Sequence, residues 1–244
     1  MPSPRVLTDV QLLMGAYDLS PFSGAFDHSA EATFLPARNF AGLGYEIILP
    51  AGIKATSSIT GNADLQTGGV SVVFNTSQAG SQHAYTINPA GSTAAAGQQV
   101  TMVRGRLAKG KPHGGNVGAV SDFSLNLESD DAPVEGFLGA PHVSYTTSGL
   151  TGTAVALTGP TAAQRLYAAL HVTAAAGTNL VVKVQSDNGA GFATPTDRIT
   201  FSTMSAIGWQ WLSVAGDLST ETHWRVVATV ASGTFTFACS FGVS

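Results

Sequence analysis

The chain has 244 residues, of which 44% are hydrophobic and 11% are charged, and its formal net charge is −4. This is enough apolar material for the core of one large domain or two smaller ones, but a weakly acidic chain is unsuited to specific nucleic-acid binding, which needs clustered Lys and Arg. With 28 Gly and 11 Pro beside so few charges, the composition favours turns and β structure over helices.

The first residues read MPSPRVLTDVQLLMGAYD. Thr8, Asp9 and Gln11 interrupt the apolar run, so we expect neither a signal peptide nor a membrane span. We therefore expect synthesis and assembly in the cytoplasm.

The first part of the chain is predicted to form half-buried antiparallel strands, because apolar and polar residues alternate in it. In FSLNLES, for example, Phe123, Leu125 and Leu127 share one face. The predicted strands are VLTDVQLLM, GAFDHSAEATF, IKATSSITGNADL, VSVVFNT, HAYTIN, QVTMVRGRLA and VGAVSDFSLNLES.

One basic stretch, RGRLAKGKPHGG, contains Arg104, Arg106, Lys109, Lys111 and His113. No aromatic residue is interleaved for base stacking. Its glycines and proline predict a long, mobile hairpin loop. Such a loop is suited to docking on the acidic surface of a neighbouring subunit.

Carboxylates cluster just beyond this stretch, at Glu128, Asp130, Asp131 and Glu135. Two carboxylates that flank a substrate can hydrolyse a glycan, but a solvated turn is the simpler interpretation. Because DDAPVEGFLGAP is rich in Pro and Gly, we interpret Asp130–Pro141 as a linker or domain boundary. The predicted domains are residues 1–135 and 136–244.

The second part has stronger strand signals. RLYAALHVTAAAGTNLVVKVQSD is predicted to be two strands joined by a hairpin turn at Ala-Gly-Thr-Asn. DRITFSTM, WQWLSVAG, HWRVVATV and TFTFACSFGV follow at short intervals, which is typical of a sandwich or jelly roll. A helix over TAAQRLYAALHV is the alternative, because Ala162, Leu166 and Leu170 also fit a helical stripe.

The sequence contains no recognisable catalytic, phosphate-binding or zinc-binding motif. Its six histidines are scattered without metal-ligand spacing. We therefore expect no enzyme activity, no metal and no cofactor. The single cysteine, Cys239, is expected to be a small buried hydrophobic residue.

Three tryptophans lie in the second part. Trp209 and Trp211 are two residues apart and share one face of a strand, and exposed rings of this kind stack on sugars. Core packing is the commoner role of such rings, Trp224 included.

One early phrase resembles the start of the tail tube (major tail) proteins of long-tailed bacteriophages. The phrase is AYDLSPFSGAFDHSAEATFLPARNFAGLGYEIILPAGIKATSSITG, and the segment from Leu166 to Gly216 also looks like the C-terminal part of such tail proteins. The features that carry the resemblance are Tyr17-Asp18-Leu19-Ser20, the polar run to Phe34, the aromatic residues Phe40 and Tyr45, the turn Leu49-Pro50-Ala51-Gly52, and the strand from Ile53 to Gly61.

The resemblance implies an all-β protein with an antiparallel sandwich or barrel domain followed by a second, jelly-roll-like sandwich. It implies a non-enzymatic virion protein that assembles with itself into hexameric or trimeric, pseudo-hexameric rings. These rings stack with other tail proteins into a tube through which phage DNA passes without specific contact. The loop from Arg104 to His113 would make inter-ring contacts, and Glu128, Asp130 and Asp131 are candidates for an acidic lumen or a ring interface. The Asp-Leu-Ser-Pro phrase would be a turn between strands of the inner sheet.

Other functions remain open at this point. The chain is alternatively a carbohydrate-binding or adhesive jelly roll on a virion surface, with Trp209 and Trp211 as the stacking residues. A capsid decoration protein is a third interpretation, and a glycosidase is the last. The expected location is the virion tail, after assembly in the host bacterium, with no membrane partner.

Overall fold

The computed structural model describes residues 9–37, 47–63, 80–147, 149–217 and 220–244. Its regular structure is β-strand with one short 3₁₀ turn, Ser20–Phe22, which confirms the predicted all-β class. In the described residues, no helix is long and apolar enough to cross a membrane. The predicted strand VSVVFNT lies outside the described residues.

The strands are numbered in chain order. They are β1 (Gln11–Met14), β2 (Tyr17–Asp18), β3 (Ser23–Ala37), β4 (Ile47–Asn62), β5 (Gln82–Asn88), β6 (Gln99–Gly114), β7 (Asp122–Ser129), β8 (Val134–Tyr145), β9 (Leu150–Thr151), β10 (Val155–Ala156), β11 (Arg165–Asp187), β12 (Thr196–Thr200), β13 (Gly208–Ala215) and β14 (His223–Val243).

Contacts divide the described residues into two units that do not follow chain order. The larger unit draws on Met1–Pro21, His83–Met102 and Val134–Ser244, and the smaller unit on Phe22–Gln82 and Val103–Pro133. The sequence predicted a single division between residues 135 and 136. The observed units differ because β1 pairs with β5, and the first residues of β6 pair with β8, across long stretches of sequence.

Strand pairing in the larger unit runs in the order β12-β11-β14-β8-β6-β5-β1-β2. Strand β13 pairs with the N-terminal half of β11, and β9 and β10 pair with β14. The smaller unit has the order β3-β4-β7-β6, and all its pairings are antiparallel. Strand β6 begins in the larger unit and continues into the smaller one.

The predicted linker Asp130–Pro141 is wrong for most of its length. Only residues 130–133 lie outside a strand, and β8 begins at Val134 and pairs with both β14 and β6. Leu138 and Ala140 are buried in the core. Pro141 is accommodated because the pairing with β14 shifts register between Phe237 and Cys239, and proline is tolerated at such irregularities.

The predicted hairpin within Arg165–Asp187 is also wrong, whereas the choice of strand over helix is confirmed. These 23 residues form one strand, β11, which pairs with β14 from Leu166↔Val243 to Asp187↔His223. Gly177 faces Gly233 across this pair. The Ala-Gly-Thr-Asn phrase stays within the strand because β14 supplies the backbone hydrogen bonds that a turn would otherwise have to supply, although Asn179 itself has a positive φ of 54°.

Aromatic residues of β14 and aliphatic residues of β11 fill the core of the larger unit. Trp224, Phe235 and Phe241 are completely buried, and the Trp224 indole Nε1 donates to the Leu157 carbonyl oxygen at 2.8 Å. Cys239 is buried among them as expected, and burial raises the pKa of its thiol. Burying this apolar area is the main stabilising contribution in the unit.

Gly233 is required by the close approach of β11 and β14. Its φ is +79°, and a Cβ there would lie 2.2 Å from the Ala176 carbonyl oxygen. We predict that Gly233→Ala lowers the free energy of unfolding by about 1–3 kcal/mol, because strain and steric overlap act together. Urea unfolding followed by tryptophan fluorescence measures the change.

The matched control is Gly189→Ala, since a Cβ at Gly189 meets nothing within 4 Å. This variant should stay within about 0.5 kcal/mol of the wild type. Equal unfolding midpoints for the two variants would contradict the close approach at Gly233.

Candidate functional site

The sheet of the smaller unit has one apolar face and one polar face, because buried and exposed residues alternate along β4 and β7 and, apart from two register shifts, along β6. Ala55 and Ile59 of β4, Leu125 and Leu127 of β7, and Leu107 of β6 are buried. The residues between them face solvent and pair in register across the sheet. This polar face comprises Ala25, Asp27, Ser29 and Glu31 of β3, Lys54, Thr56, Ser58 and Thr60 of β4, Asp122, Ser124, Asn126 and Glu128 of β7, and Arg106, Lys109 and Lys111 of β6.

Charge on the polar face is balanced overall and graded across the sheet. Four carboxylates, Asp27, Glu31, Asp122 and Glu128, stand against four cations, Lys54, Arg106, Lys109 and Lys111. The β3 side of the face carries carboxylates and the β6 side carries cations. The face therefore has almost no net charge but has an acidic edge and a basic edge.

The predicted basic and acidic residues meet one another. Arg106 Nε lies 3.0 Å from Asp130 Oδ1, and Arg104 forms an ion pair with Asp131. The Asp130 backbone N–H also donates to the Arg104 carbonyl oxygen at 2.8 Å. Asp130 and Asp131 are thus partners of the basic strand and do not form an unpaired acidic patch.

Glu128, the third acidic candidate, is paired as well. Its Oε2 lies 2.6 Å from Lys54 Nζ, and the two side chains remain 48% and 53% exposed. Nearer the end of the hairpin, Lys111 Nζ lies 3.1 Å from Asp122 Oδ2. Exposed pairs of this kind contribute about 0–1 kcal/mol each, so they set local geometry more than stability.

The basic stretch is a strand and not the predicted loop. Residues from Arg106 to Gly114 pair with β7, and the connection between the two strands is limited to residues 115–121. The basic residues alternate with Leu107 and have β7 as a partner strand, and these two features outweigh the turn signals of Gly110 and Pro112. Shifts in the β6–β7 register accommodate Gly110 and Pro112 within the strand. His113, the last of the basic candidates, lies exposed near the end of this strand.

The tip of the β6–β7 hairpin is an ordered turn with exposed valines. The Ala119 N–H donates to the Asn116 carbonyl oxygen at 3.0 Å, and the Ser121 hydroxyl donates to the Gly114 carbonyl oxygen at 3.0 Å. Val117 is 109% exposed and Val120 74% exposed. Two adjacent apolar side chains held out in this way are typical of a contact surface.

Both margins of the described part of this sheet carry charged side chains that form none of its ion pairs. Strand β3 pairs with β4, and no other strand of the described chain pairs with it. Strand β6 pairs with β8 through Gln99–Met102, with β7 through Gly105–Gly114, and also with β5. Asp27 and Glu31 at one edge, and Lys109 at the other, have no ion-pair partner among the described residues.

Sequence reasoning missed several residues of this face. Lys54, Asp122, Asp27 and Glu31 were not singled out, although the alternation in IKATSSITGN and FSLNLES predicted which way their neighbours point. The missing information was the register, which sets Glu31 opposite Lys54 and Thr56 opposite Glu128.

The Asp-Leu-Ser-Pro phrase forms a turn, as expected, and its carboxylate organises it. Asp18 Oδ1 accepts from the Ser20 backbone N–H at 3.0 Å and from the Ser20 hydroxyl at 2.5 Å. The other oxygen, Oδ2, lies 3.4 Å from His142 Nδ1. Ser20 then starts the 3₁₀ turn that leads into β3.

The tryptophans serve mainly in packing. Trp224 is fully buried, whereas Trp209 and Trp211 are half-buried against the cluster that contains Met102 and Leu138. The Trp211 ring lies 5.9 Å from that of Tyr167. These contacts favour packing over a free sugar-stacking platform.

A second charged cluster lies in the larger unit around Arg198. Its guanidinium donates to Glu221 Oε2 at 2.5 Å and to the Ser186 hydroxyl at 2.7 Å, and it pairs with Asp217. Burial alone would raise the pKa of Glu221, but hydrogen bonds from Ser186 and Arg198 outweigh it and lower that pKa. The acids of this cluster thus neutralise a partly buried arginine.

Metal-binding and paired-carboxylate chemistry find no support here. Within the described ranges, no three His, Cys, Asp or Glu side chains are placed to hold a metal ion. Glu135, the remaining carboxylate candidate, lies in β8 and accepts from the Thr101 hydroxyl at 2.9 Å.

No protein-family model and no curated protein matches the chain. Solved structures with a similar fold include the virion of a native gene transfer agent particle, at 11% identity over 53% of this chain and 97% of the other, with a TM-score of 0.39. The SPP1 tail tube is similar at 12% identity over 54% of this chain and 78% of the other, with a TM-score of 0.42.

A third similar structure spans nearly the whole chain. It is the SPP1 Dit protein, described as a hub adsorption apparatus of phages that infect Gram-positive bacteria. The identity is 11% over 96% of this chain and 99% of the other, with a TM-score of 0.36.

The buried side of the sheet depends on one hydroxyl. The Ala55 backbone N–H donates to Ser129 Oγ at 2.7 Å in a buried position. We predict that Ser129→Ala lowers the free energy of unfolding by about 1–3 kcal/mol, because it leaves a buried N–H without an acceptor. Ser124→Ala, on the polar face, should change it by less than about 0.5 kcal/mol. Chemical denaturation of both variants checks this, and a neutral Ser129→Ala would contradict it.

Proposed function

We propose that this chain is a structural virion protein of a long-tailed phage whose copies assemble into rings that stack as the tail tube. The proposal rests mainly on one observation, the opposite charge of the two edges of the smaller unit's sheet. The resemblance of the Tyr17–Gly61 region to tail tube proteins supports it. The role is structural and involves no catalysis.

A ring forms when the β3 edge of one copy pairs with the β6 edge of the next copy. An edge strand presents a row of unpaired N–H and C=O groups that accepts another strand. If β3 of one copy pairs with the outer part of β6 in the next, the contact is heterologous, and heterologous contacts close into rings when the rotation permits. Strands of successive copies then continue one barrel.

Charge selects this pairing over the alternatives. Asp27 and Glu31 on β3 face Lys109 and Lys111 on β6 of the neighbouring copy. Two β3 edges would bring like charges together, and so would two β6 edges; directly opposed like charges destabilise strand pairs. The same charges fix the register of the pair and speed its formation. Ring closure in six-fold or pseudo-six-fold form is part of the proposal.

The polar face suits the lining of a DNA conduit. Affinity for DNA comes mainly from release of counterions when Lys and Arg neutralise phosphates. On this face Lys54 and Arg106 are already paired with Glu128 and Asp130. A lining that is hydroxyl-rich and charge-balanced lets a polyanion pass with little binding or repulsion. Balanced charge thus replaces the acidic lumen that the sequence suggested.

Ring stacking is assigned to the hairpin tip. The stretch Arg104–His113 forms the stem, whose arginines are paired within the chain, and the exposed Val117 and Val120 extend beyond it. The tip valines dock on the next ring and bury apolar surface there. Other tail proteins would cap the stack, and the assembled protein would reside in the virion tail after assembly in the host cytoplasm.

Charge reversal at each edge tests the ring contact. Asp27→Lys with Glu31→Lys makes both edges basic, and Lys109→Glu with Lys111→Glu makes both acidic. We predict that each double variant alone remains monomeric, because its edges repel, and that an equimolar mixture forms rings of alternating chains. Analytical ultracentrifugation and negative-stain electron microscopy measure both results.

The control is Arg165→Glu, an exposed substitution on β11 in the larger unit, which should assemble like the wild type. Assembly of either edge variant alone to the wild-type extent would contradict β3–β6 pairing.

The stacking contact has its own test. Val117→Ser with Val120→Ser should leave ring formation intact and abolish long tubes, because only the tip contact loses apolar surface. Tube length distributions by electron microscopy give the readout. The matched control is Val143→Ser, which alters an exposed valine of β8. Tubes of normal length from the tip variant would contradict the assignment.

A further inference from the structure

The short hairpin of β1 and β2 in the larger unit is surrounded by histidines. His171 of β11, His142 of β8 and His83 of β5 all approach residues 15–18, so half of the six histidines in the chain meet at one turn. Local sequence patterns do not reveal this cluster, because β5, β8 and β11 are far apart in the chain.

His171 holds the turn of the hairpin. It is only 1% exposed, and its Nδ1 donates to the Gly15 carbonyl oxygen at 2.8 Å. Since a carbonyl only accepts, Nδ1 bears a proton, and Nε2 lies 2.8 Å from the Thr86 hydroxyl. Because burial lowers the pKa of His171 to about 4, the ring is neutral at pH 7 and Nε2 accepts from that hydroxyl.

The other two histidines contact the hairpin on either side of this bond. A methyl group added at Gly15 would lie 3.0 Å from His83 Nδ1 and 3.3 Å from the Trp209 ring, so the turn fits closely against both. His142 Nδ1 lies 3.4 Å from Asp18 Oδ2, and its Nε2 lies 2.7 Å from the Thr173 hydroxyl.

We propose that the β1–β2 hairpin is an acid-sensitive latch, which leaves its place beside β5 when these histidines take up protons. Undocking breaks the bond from the Gly15 N–H to the Ala84 carbonyl oxygen and the β1 pairing with β5. It exposes the edge of β5 to strand addition by another chain. The proposal does not depend on ring assembly.

The electrostatic environment favours undocking in acid. Burial lowers the pKa of His171 to about 4, an effect that the Gly15 hydrogen bond opposes and the nearby His142 reinforces. Burial also lowers the pKa of His83, and that of His142 despite the attraction of Asp18. Tyr85 of β5 and Tyr17 of β2 are the phenols at the hairpin. Asp18 is the carboxylate that faces these histidines within the described part of the unit.

The direction of the pH effect follows from proton linkage. A histidine with a docked pKa near 4 and a free pKa near 6.5 binds protons preferentially when the hairpin is undocked. Docking is therefore fully favourable above pH 6.5 and weakens as the pH falls toward 4. Between pH 7.5 and 5, His171 alone should raise the opening equilibrium constant roughly 25-fold.

Native-state hydrogen exchange of the full chain tests the latch. Protection of the Gly15 amide, which is bonded to Ala84 of β5, should fall roughly 25-fold or more between pH 7.5 and 5 after correction for intrinsic rates. The amides of Leu180 and Phe201, in the same unit, should keep their protection. Unchanged protection at Gly15, or equal loss at Leu180 and Phe201, would overturn the proposal.

A substitution identifies the titrating group. His171→Gln keeps a donor for Gly15 and an acceptor for Thr86 but has no proton to gain, so the pH dependence at Gly15 should largely disappear. His113→Gln, in the exposed hairpin of the smaller unit, should leave it unchanged. If His171→Gln does not fold, His142→Gln serves instead and should reduce the dependence through loss of its charge. A wild-type pH dependence in the folded variants would overturn the assignment to these histidines.

Discussion

An antiparallel sheet satisfies its backbone hydrogen bonds everywhere except at its edges, and the described strands of the smaller unit carry acidic side chains on β3 and basic side chains on β6, at opposite margins of the sheet. Most proteins protect such edges with charges or irregularities to prevent association. Here the acidic residues on β3 and the basic residues on β6 discourage contact between like edges and favour contact between unlike ones. Self-assembly in one direction is the proposed consequence.

The polar face and the hairpin tip take their roles from this arrangement. Ion pairs such as Lys54–Glu128 and Arg106–Asp130 neutralise the interior of the face and leave charge mainly at its margins. The same strand, β6, ends in a turn with two exposed valines. One β-strand therefore supplies the proposed ring contact along its length and the proposed stacking contact at its tip.

Local pattern predicted much of the fold but little of the pairing. The alternation in FSLNLES predicted the buried Phe123, Leu125 and Leu127, and the strand signals around Leu166 prevailed over a helical stripe. The turn signals of Pro133–Pro141 and of Ala176–Asn179 were misleading, because β14 pairs with Gly136–Tyr145 and with Ala176–Thr178 and keeps these residues within strands. No local sequence feature predicts that a strand will pair with another strand that lies tens of residues away.

For the candidate site as well, the sequence predicted the residues but not their pairing. The basic residues Arg104 to His113 and the acidic residues Glu128 to Asp131 were recognised separately, but only the β6–β7 register shows that they form pairs. The histidine cluster at Gly15 could not be predicted from the sequence for the same reason, since β5, β8 and β11 are distant in the chain and come together only in the folded protein.

Electron microscopy of the purified wild-type protein over a concentration series, with sedimentation measured in parallel, tests the edge pairing most directly. Pairing of unlike edges predicts closed rings with a rotation axis of six-fold or pseudo-six-fold symmetry, which stack as the concentration rises. Two-fold dimers would contradict it, because such dimers use the same edge twice, and so would a protein that remains monomeric at the highest concentration.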